Sequence, residues 1–245
     1  PASRCATSVQ DDRSPRHGMT ARVAATDLAR RFGSRRAVDG VTFALAPGDC
    51  LALFGPNGAG KTTVLRLLAG LLKPSGGEAH LGGIRLPDPT ARGRVGLISH
   101  RSMLYDALTA RENVTFAARL HGDSAAAGSA MRALELLRVA DRADVPVRAL
   151  SRGMQQRVAI ARALVNGPDV LLADEPYSGL DAQGSAALTA LLRERREAGA
   201  TIVVVTHHLH EGLDLASHAA VMRDGRFVRY DAAAGLDAAR YAAEY

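Results

Sequence analysis

Gly55-Pro56-Asn57-Gly58-Ala59-Gly60-Lys61-Thr62 is the segment best suited to chemistry in this chain of 245 residues. Its spacing is G-x-x-x-x-G-K-[ST], with a short apolar run before it and a helical pattern after it. Glycines let the backbone turn tightly and bring N–H groups toward phosphate oxygens. The helix that follows adds the positive end of its dipole. On this reading residues 55–60 cradle the phosphates of ATP and Lys61 reaches the β- and γ-phosphates. The Thr62 hydroxyl is a candidate ligand for Mg2+, and Thr63 caps the helix or contacts phosphate.

Two carboxylates and a histidine could act on what the loop holds. Asp174 and Glu175 close the apolar run at 170–173. A carboxylate at the end of a buried strand can hold Mg2+, which pairs Asp174 with Thr62. Its neighbour Glu175 can orient or deprotonate an attacking water. His207 ends a further apolar run, and its imidazole can donate to a γ-phosphate oxygen. An acidic pair before Pro176, or one histidine after a strand, more often marks a strand end. Beside Lys61 they compose a hydrolytic set.

The elements that must position these groups are legible as alternating runs. Residues 50–54, 169–173 and 201–206 are short segments built on unbroken apolar runs, as buried parallel strands are. Residues 21–28, 37–45 and 93–99 read as further strands. Apolar residues at helical spacing predict a helix over 63–72, ended by Lys73-Pro74-Ser75-Gly76-Gly77. Residues 105 to about 165 are helical in pattern, with a helix over 155–164 whose start Ser151 can cap, and 185–199 is an amphipathic helix. Asp224-Gly225 is a hairpin signal inside 221–228, and the alanine-rich tail from Ala232 reads as helix. Alternation of this kind predicts an α/β fold: a parallel sheet with helices on both faces. No internal repeat is present.

Composition narrows the partners. The net charge is +6, but the arginines are scattered and no block of five or six cations occurs, so no nucleic acid is expected. Lysine occurs only at Lys61 and Lys73. Cys5 and Cys50 lie in unlike contexts, which argues against a disulfide framework or a zinc site. No run of 18 apolar residues encodes a membrane span. Residues 1–18 are polar, lack the apolar segment of a secretory signal, and read as a disordered N-terminal extension before Met19.

Over roughly residues 20–230 the chain resembles the ATP-binding subunits of ABC transporters. The loop matches their Walker A motif, and Val-Leu-Leu-Ala-Asp-Glu-Pro at 170–176 looks like Walker B. Leu-Ser-Arg-Gly-Met-Gln-Gln-Arg at 150–157 resembles the family signature. Ser-Gly-Leu-Asp at 178–181 looks like the D-loop, which contributes Asp181 to nucleotide binding. His207 is similar to the switch histidine and Phe32 to the aromatic residue that stacks on adenine. The resemblance implies a RecA-like parallel-sheet core with an N-terminal antiparallel β-subdomain. It implies one ABC ATPase domain over 19–230, a helical lobe inserted at about 100–165, and a short tail at 231–245. It implies ATP and Mg2+ as cofactors, with ATP held between two copies so that Ser151 and Gly153 contact the γ-phosphate bound by the second copy. Separate membrane permease subunits are implied as partners, with Tyr105, Leu108 and Glu112 as candidate contacts. So is a peripheral position on the cytoplasmic face of the membrane.

Two departures from the family pattern stand out. Arg152 and Met154 replace a glycine and a glutamine of the usual signature, and the Q-loop position holds His100. His100 can still touch the Mg2+ or water shell, as a titratable donor. With Ile98–Gly122 these features look like the haem-exporter ATP-binding subunits of cytochrome c maturation. A generic exporter of a drug, lipid or polysaccharide is the alternative. A DNA-repair ATPase would need a long coiled coil between Lys61 and Ser151, and no sustained heptads occur there.

Overall fold

The computed structural model describes residues 21–99, 102–232, 239 and 241. The expectations for residues 1–18, His100 and the tail beyond Ala232 lie outside the described residues.

The chain opens with β1 (Val23–Phe32) and β2 (Arg35–Leu45), then enters β3 (Cys50–Phe54) and α1 (Lys61–Leu68). β4 (Gly76–Leu81), β5 (Ile84–Arg85), the single turn α2 (Pro89–Arg92) and β6 (Val95–Ile98) follow. α3 (Ala110–Leu120), α4 (Ala126–Leu136) and α5 (Arg152–Leu164) form a helical lobe. β7 (Val170–Asp174), α6 (Ala182–Glu197), β8 (Thr201–Val205), α7 (Leu209–Leu215), β9 (His218–Arg223) and β10 (Arg226–Ala232) come last. An antiparallel sheet has the order β2-β1-β4-β5. The second sheet has the order β10-β9-β3-β8-β7-β6, parallel except for β10 at its edge. An antiparallel sheet, a largely parallel sheet and a helical lobe are the three parts that the resemblance implies.

The three central strands bury every residue, and strand alternation sorts their side chains into two cores. Cys50, Ala52, Phe54, Leu171, Ala173, Ile202 and Val204 pack with α5, α6 and the helical lobe. Leu51, Leu53, Val170, Leu172, Val203 and Val205 pack with α1 and the antiparallel sheet. Helix α1 is thus clasped between two sheets. Its Val64, Leu65, Leu67 and Leu68 are all buried, each stabilising by about 1.5–3 kcal/mol. The phosphate loop therefore joins two of the most buried elements in the chain.

Differences from the sequence reading have local causes. Helix α1 ends at Leu68, not Leu72, because Gly70 takes φ 65 just past the cap. Gly70 N–H then bonds Leu67 O and Leu71 N–H bonds Arg66 O, a Schellman stop. Helix α5 instead agrees with the sequence: it runs from Arg152, and Ser151 caps it by accepting the Met154 N–H at 3.3 Å, as a capped start at 150–157 predicts. Residues 231 and 232 belong to β10 and not to a helical tail. Asp224 and Gly225 form the hairpin turn between β9 and β10, both with positive φ (49 and 83) as a type I′ turn requires. Strands β4 and β5 and helix α7 were not anticipated.

Candidate functional site

Glycine is required in the loop because other backbones lie against it. Gly55 has φ 134 and Gly60 has φ 111. A side-chain carbon on Gly55 would fall 2.1 Å from Met222 O in β9, and one on Gly60 would fall 2.1 Å from Ala37 O in β2. Two loop carbonyls are also held from outside. Arg35 Nη2 donates to Gly58 O at 3.0 Å, and Gly225 N–H in the hairpin donates to Ala59 O at 2.9 Å.

Over the loop lies a cavity of about 510 Å³, within the ~300–1,000 Å³ typical of ligand sites. Phe32, Asn57, Gly58, Gly60, Lys61, Thr62, Thr63, Asp174 and Glu175 line it, with Arg35, Ala37 and Val205. Gly55, Pro56 and Ala59 shape the loop without lining the cavity. Arg35 and Ala37 were missed in the sequence. They carry no motif, and only the β1–β2 hairpin brings them to the loop.

The Lys61 ammonium is buried and donates to Gly55 O at 2.6 Å and Pro56 O at 3.0 Å. Burial lowers its pKa, while Glu175 and Asp174 raise it. The Thr62 hydroxyl donates to Asp174 Oδ2 at 2.9 Å, on a carboxylate that is 4% exposed. A hydroxyl and a buried carboxylate side by side form the hard oxygen pair that Mg2+ prefers beside substrate phosphates.

Glu175 sits at φ 52, a left-handed conformation rare for a side-chain-bearing residue and worth about 1–3 kcal/mol of strain. Its N–H donates to Val205 O at 2.8 Å, pinning it between β7 and β8. The turn aims the carboxylate at His207, whose Nδ1 lies 2.7 Å from Glu175 Oε2. The pair can hold a water for attack on a phosphorus atom, with the histidine fixing the carboxylate.

Of the other expected residues, His207 reaches this cavity only through Glu175, and Ser151, Gly153 and Asp181 do not line it. Ser151 caps α5, and Asp181 caps α6 by accepting the Gly184 N–H at 2.7 Å. A carbon on Gly153 would lie 3.0 Å from Gly179 O, so the signature packs on the 178–181 turn. The buried Gln156 ties α5 to the segment after Glu175 by donating to Pro176 O at 2.9 Å. Met154 is half-buried and packs against the apolar cluster. Glu112 is engaged in a capping box: its carboxylate accepts the Thr109 N–H at 2.8 Å, which holds its pKa low. Tyr105 is exposed and meets Phe116 edge-on.

A family model described as "ABC transporter" matches residues 38–178, from the strand behind the loop through the signature to the turn after Glu175. The chain belongs to the ABC transporter family. Its relatives include Nod factor export ATP-binding protein I of Paraburkholderia xenovorans (strain LB400), 41% identical over 213 residues, covering 85% of this chain and 70% of the relative. The protein of the same name in Ralstonia nicotianae is 39% identical over 216 residues, covering 86% and 67%. A dimeric ATP-binding cassette in a post-hydrolysis state, bound to ADP and Pi, superposes with a TM-score of 0.80. It is 28% identical, with 87% of this chain and all of that chain covered. A nucleotide-free cassette at 21% identity and TM-score 0.79 shares the fold. This ABC cassette is therefore an ATP-binding, ATP-hydrolysing transporter subunit, and no helix among its described residues is long and apolar enough to cross a membrane.

Proposed function

We propose that the cassette powers an exporter, working as a pair of copies on separate membrane-spanning subunits at the cytoplasmic face of the membrane. The observation that carries the paired reading is the division of its motifs. Lys61, Thr62, Asp174 and Glu175 line one cavity, while Ser151 and Gly153 stand outside it at the capped start of α5. A signature that stands outside its own cavity has a use when it closes the loop of a second copy. The dimeric relative supports this arrangement.

In this reading the loop and Lys61 bind the β- and γ-phosphates, and Thr62 and Asp174 hold Mg2+, which supplies charge neutralisation on the phosphates. Phe32 stacks on adenine. Glu175 activates the attacking water and His207 positions that carboxylate while contacting the γ-phosphate. Glu175→Gln keeps the hydrogen bond to His207 but removes the base. Turnover is expected to fall by about 10²–10⁴-fold while ATP binding and an ATP-dependent dimer persist. Wild-type hydrolysis in that variant, or a strictly monomeric ATP-bound form by light scattering, would overturn the mechanism.

The cargo follows the membrane partner. The two Nod factor export relatives support export in general. Haem export rests on the resemblance of Ile98–Gly122 and of the signature to haem-exporter cassettes. Co-purification with membrane subunits, then haem-stimulated turnover in the assembled complex, separates the two. Stimulation supports haem; its absence leaves the broader export reading.

A further inference from the structure

Phe32 is 46% exposed, and its ring lines the cavity near the end of β1. An aromatic ring that open has rotamer freedom to lose when it stacks on a base. It is not left free. The Arg30 guanidinium lies over its ring, 4.6 Å from the centroid. Arg30 is itself anchored: Nη1 donates to Lys73 O at 2.8 Å, just beyond the helix that follows the phosphate loop. Its Nε is buried and bonds no acceptor, so this edge of the guanidinium is given to packing rather than to hydrogen bonding. Neighbouring bonds fix the same junction, with Ser75 N–H on Ala29 O at 2.8 Å and Arg31 N–H on Ser75 Oγ at 3.1 Å.

We infer that Arg30 is a positioning residue for the adenine end of the site, backing the Phe32 ring on one face so that the other is preset for the base. This rests on the reading of Phe32 as the adenine platform. The cation–π contact fixes the ring and draws electron density toward the guanidinium, which favours stacking of an electron-rich purine on the opposite face. The anchor on Lys73 O ties the platform to the segment that leaves α1, the helix that follows the phosphate loop.

The test uses the full chain and two ligands, a non-hydrolysable ATP analogue and inorganic tripolyphosphate, measured by isothermal titration. Arg30→Gln is expected to weaken the analogue roughly two- to fivefold, the fold-change of an exposed cation–π contact. Tripolyphosphate affinity is expected to stay constant, and in steady-state turnover the change is expected in KM. In a Phe32→Ala background, Arg30→Gln is expected to add nothing. Equal weakening of both ligands would mean that Arg30 only braces the scaffold. An unchanged analogue affinity, or full additivity with Phe32→Ala, would also overturn the inference. If Phe32→Ala alone leaves analogue affinity intact, the adenine platform itself is refuted, and Arg30 with it.

Discussion

Gly60→Ala probes the contact between the phosphate loop and β2, and Gly58→Ala is its control. Both glycines have positive φ, 111 and 81, so each alanine meets a left-handed penalty of about 1–2 kcal/mol. Their surroundings differ. At Gly58 the nearest atom to an added carbon is Arg35 Nη2 at 3.4 Å, the far end of a flexible side chain. At Gly60 the added carbon meets Ala37 O at 2.1 Å and Met222 Cε at 2.8 Å. A backbone carbonyl cannot swing away, so the loop must move by about 1 Å, a misplacement that can lower catalysis on the order of 10²-fold. Gly58→Ala is expected to lower Tm by about 2–8 °C and to keep most nucleotide affinity. Gly60→Ala is expected to lower Tm further and to reduce kcat/KM for ATP by about 10²-fold. Thermal melts followed by circular dichroism, with coupled-assay ATPase rates, decide the matter. Equal Tm and equal kcat/KM in the two variants would refute the argument that the Ala37 carbonyl sets the loop.

Other outcomes follow from single contacts. Asp174→Asn removes the buried charge beside Thr62, so the Mg2+ concentration for half-maximal turnover should rise roughly 10–100-fold in a Mg2+ titration. Burial pushes the Cys50 thiol up to about 12, so its peptide should resist iodoacetamide at pH 8 in the native protein and react after unfolding. Because folding raises this pKa, the associated stability is full below the unfolded thiol's value of about 8.5 and is lost as pH climbs through about 12. Denaturant midpoints measured from pH 8 upward, for the wild type and Cys50→Ala, read out that loss.

The central strands were legible because burial on both faces leaves continuous apolar runs, and β3 was bounded correctly to the residue. Strand β4 was not, since Gly-Gly-Glu-Ala-His-Leu opens on two glycines and places only Ala79 and Leu81 in a core. Helix α7 was hidden by Gly212. An added carbon there would lie 2.8 Å from the Phe54 ring, so a residue that reads as a breaker is a packing requirement. Local spacing gave the loop, the acidic pair and the histidine. It could not give Arg35 against Gly58 O, which joins β2 to the loop, or the anchor of Arg30 on Lys73 O, which joins β1 to the segment after α1. The separation of Ser151 and Gly153 from the cavity is likewise a three-dimensional fact, although the family resemblance anticipated its use.

The backing of the loop by β9 and its hairpin has a consequence for how the protein is made. Residues 55–62 are synthesised well before Met222 and Gly225, which lie against Gly55 and Ala59. Until then one wall of the loop is absent, and β3 lacks its β9 neighbour on that side. Distant pairings of this kind form slowly, and an unpaired central strand is prone to association. A chain that stops before β9 thus carries the full Walker A sequence without the backbone that walls its loop.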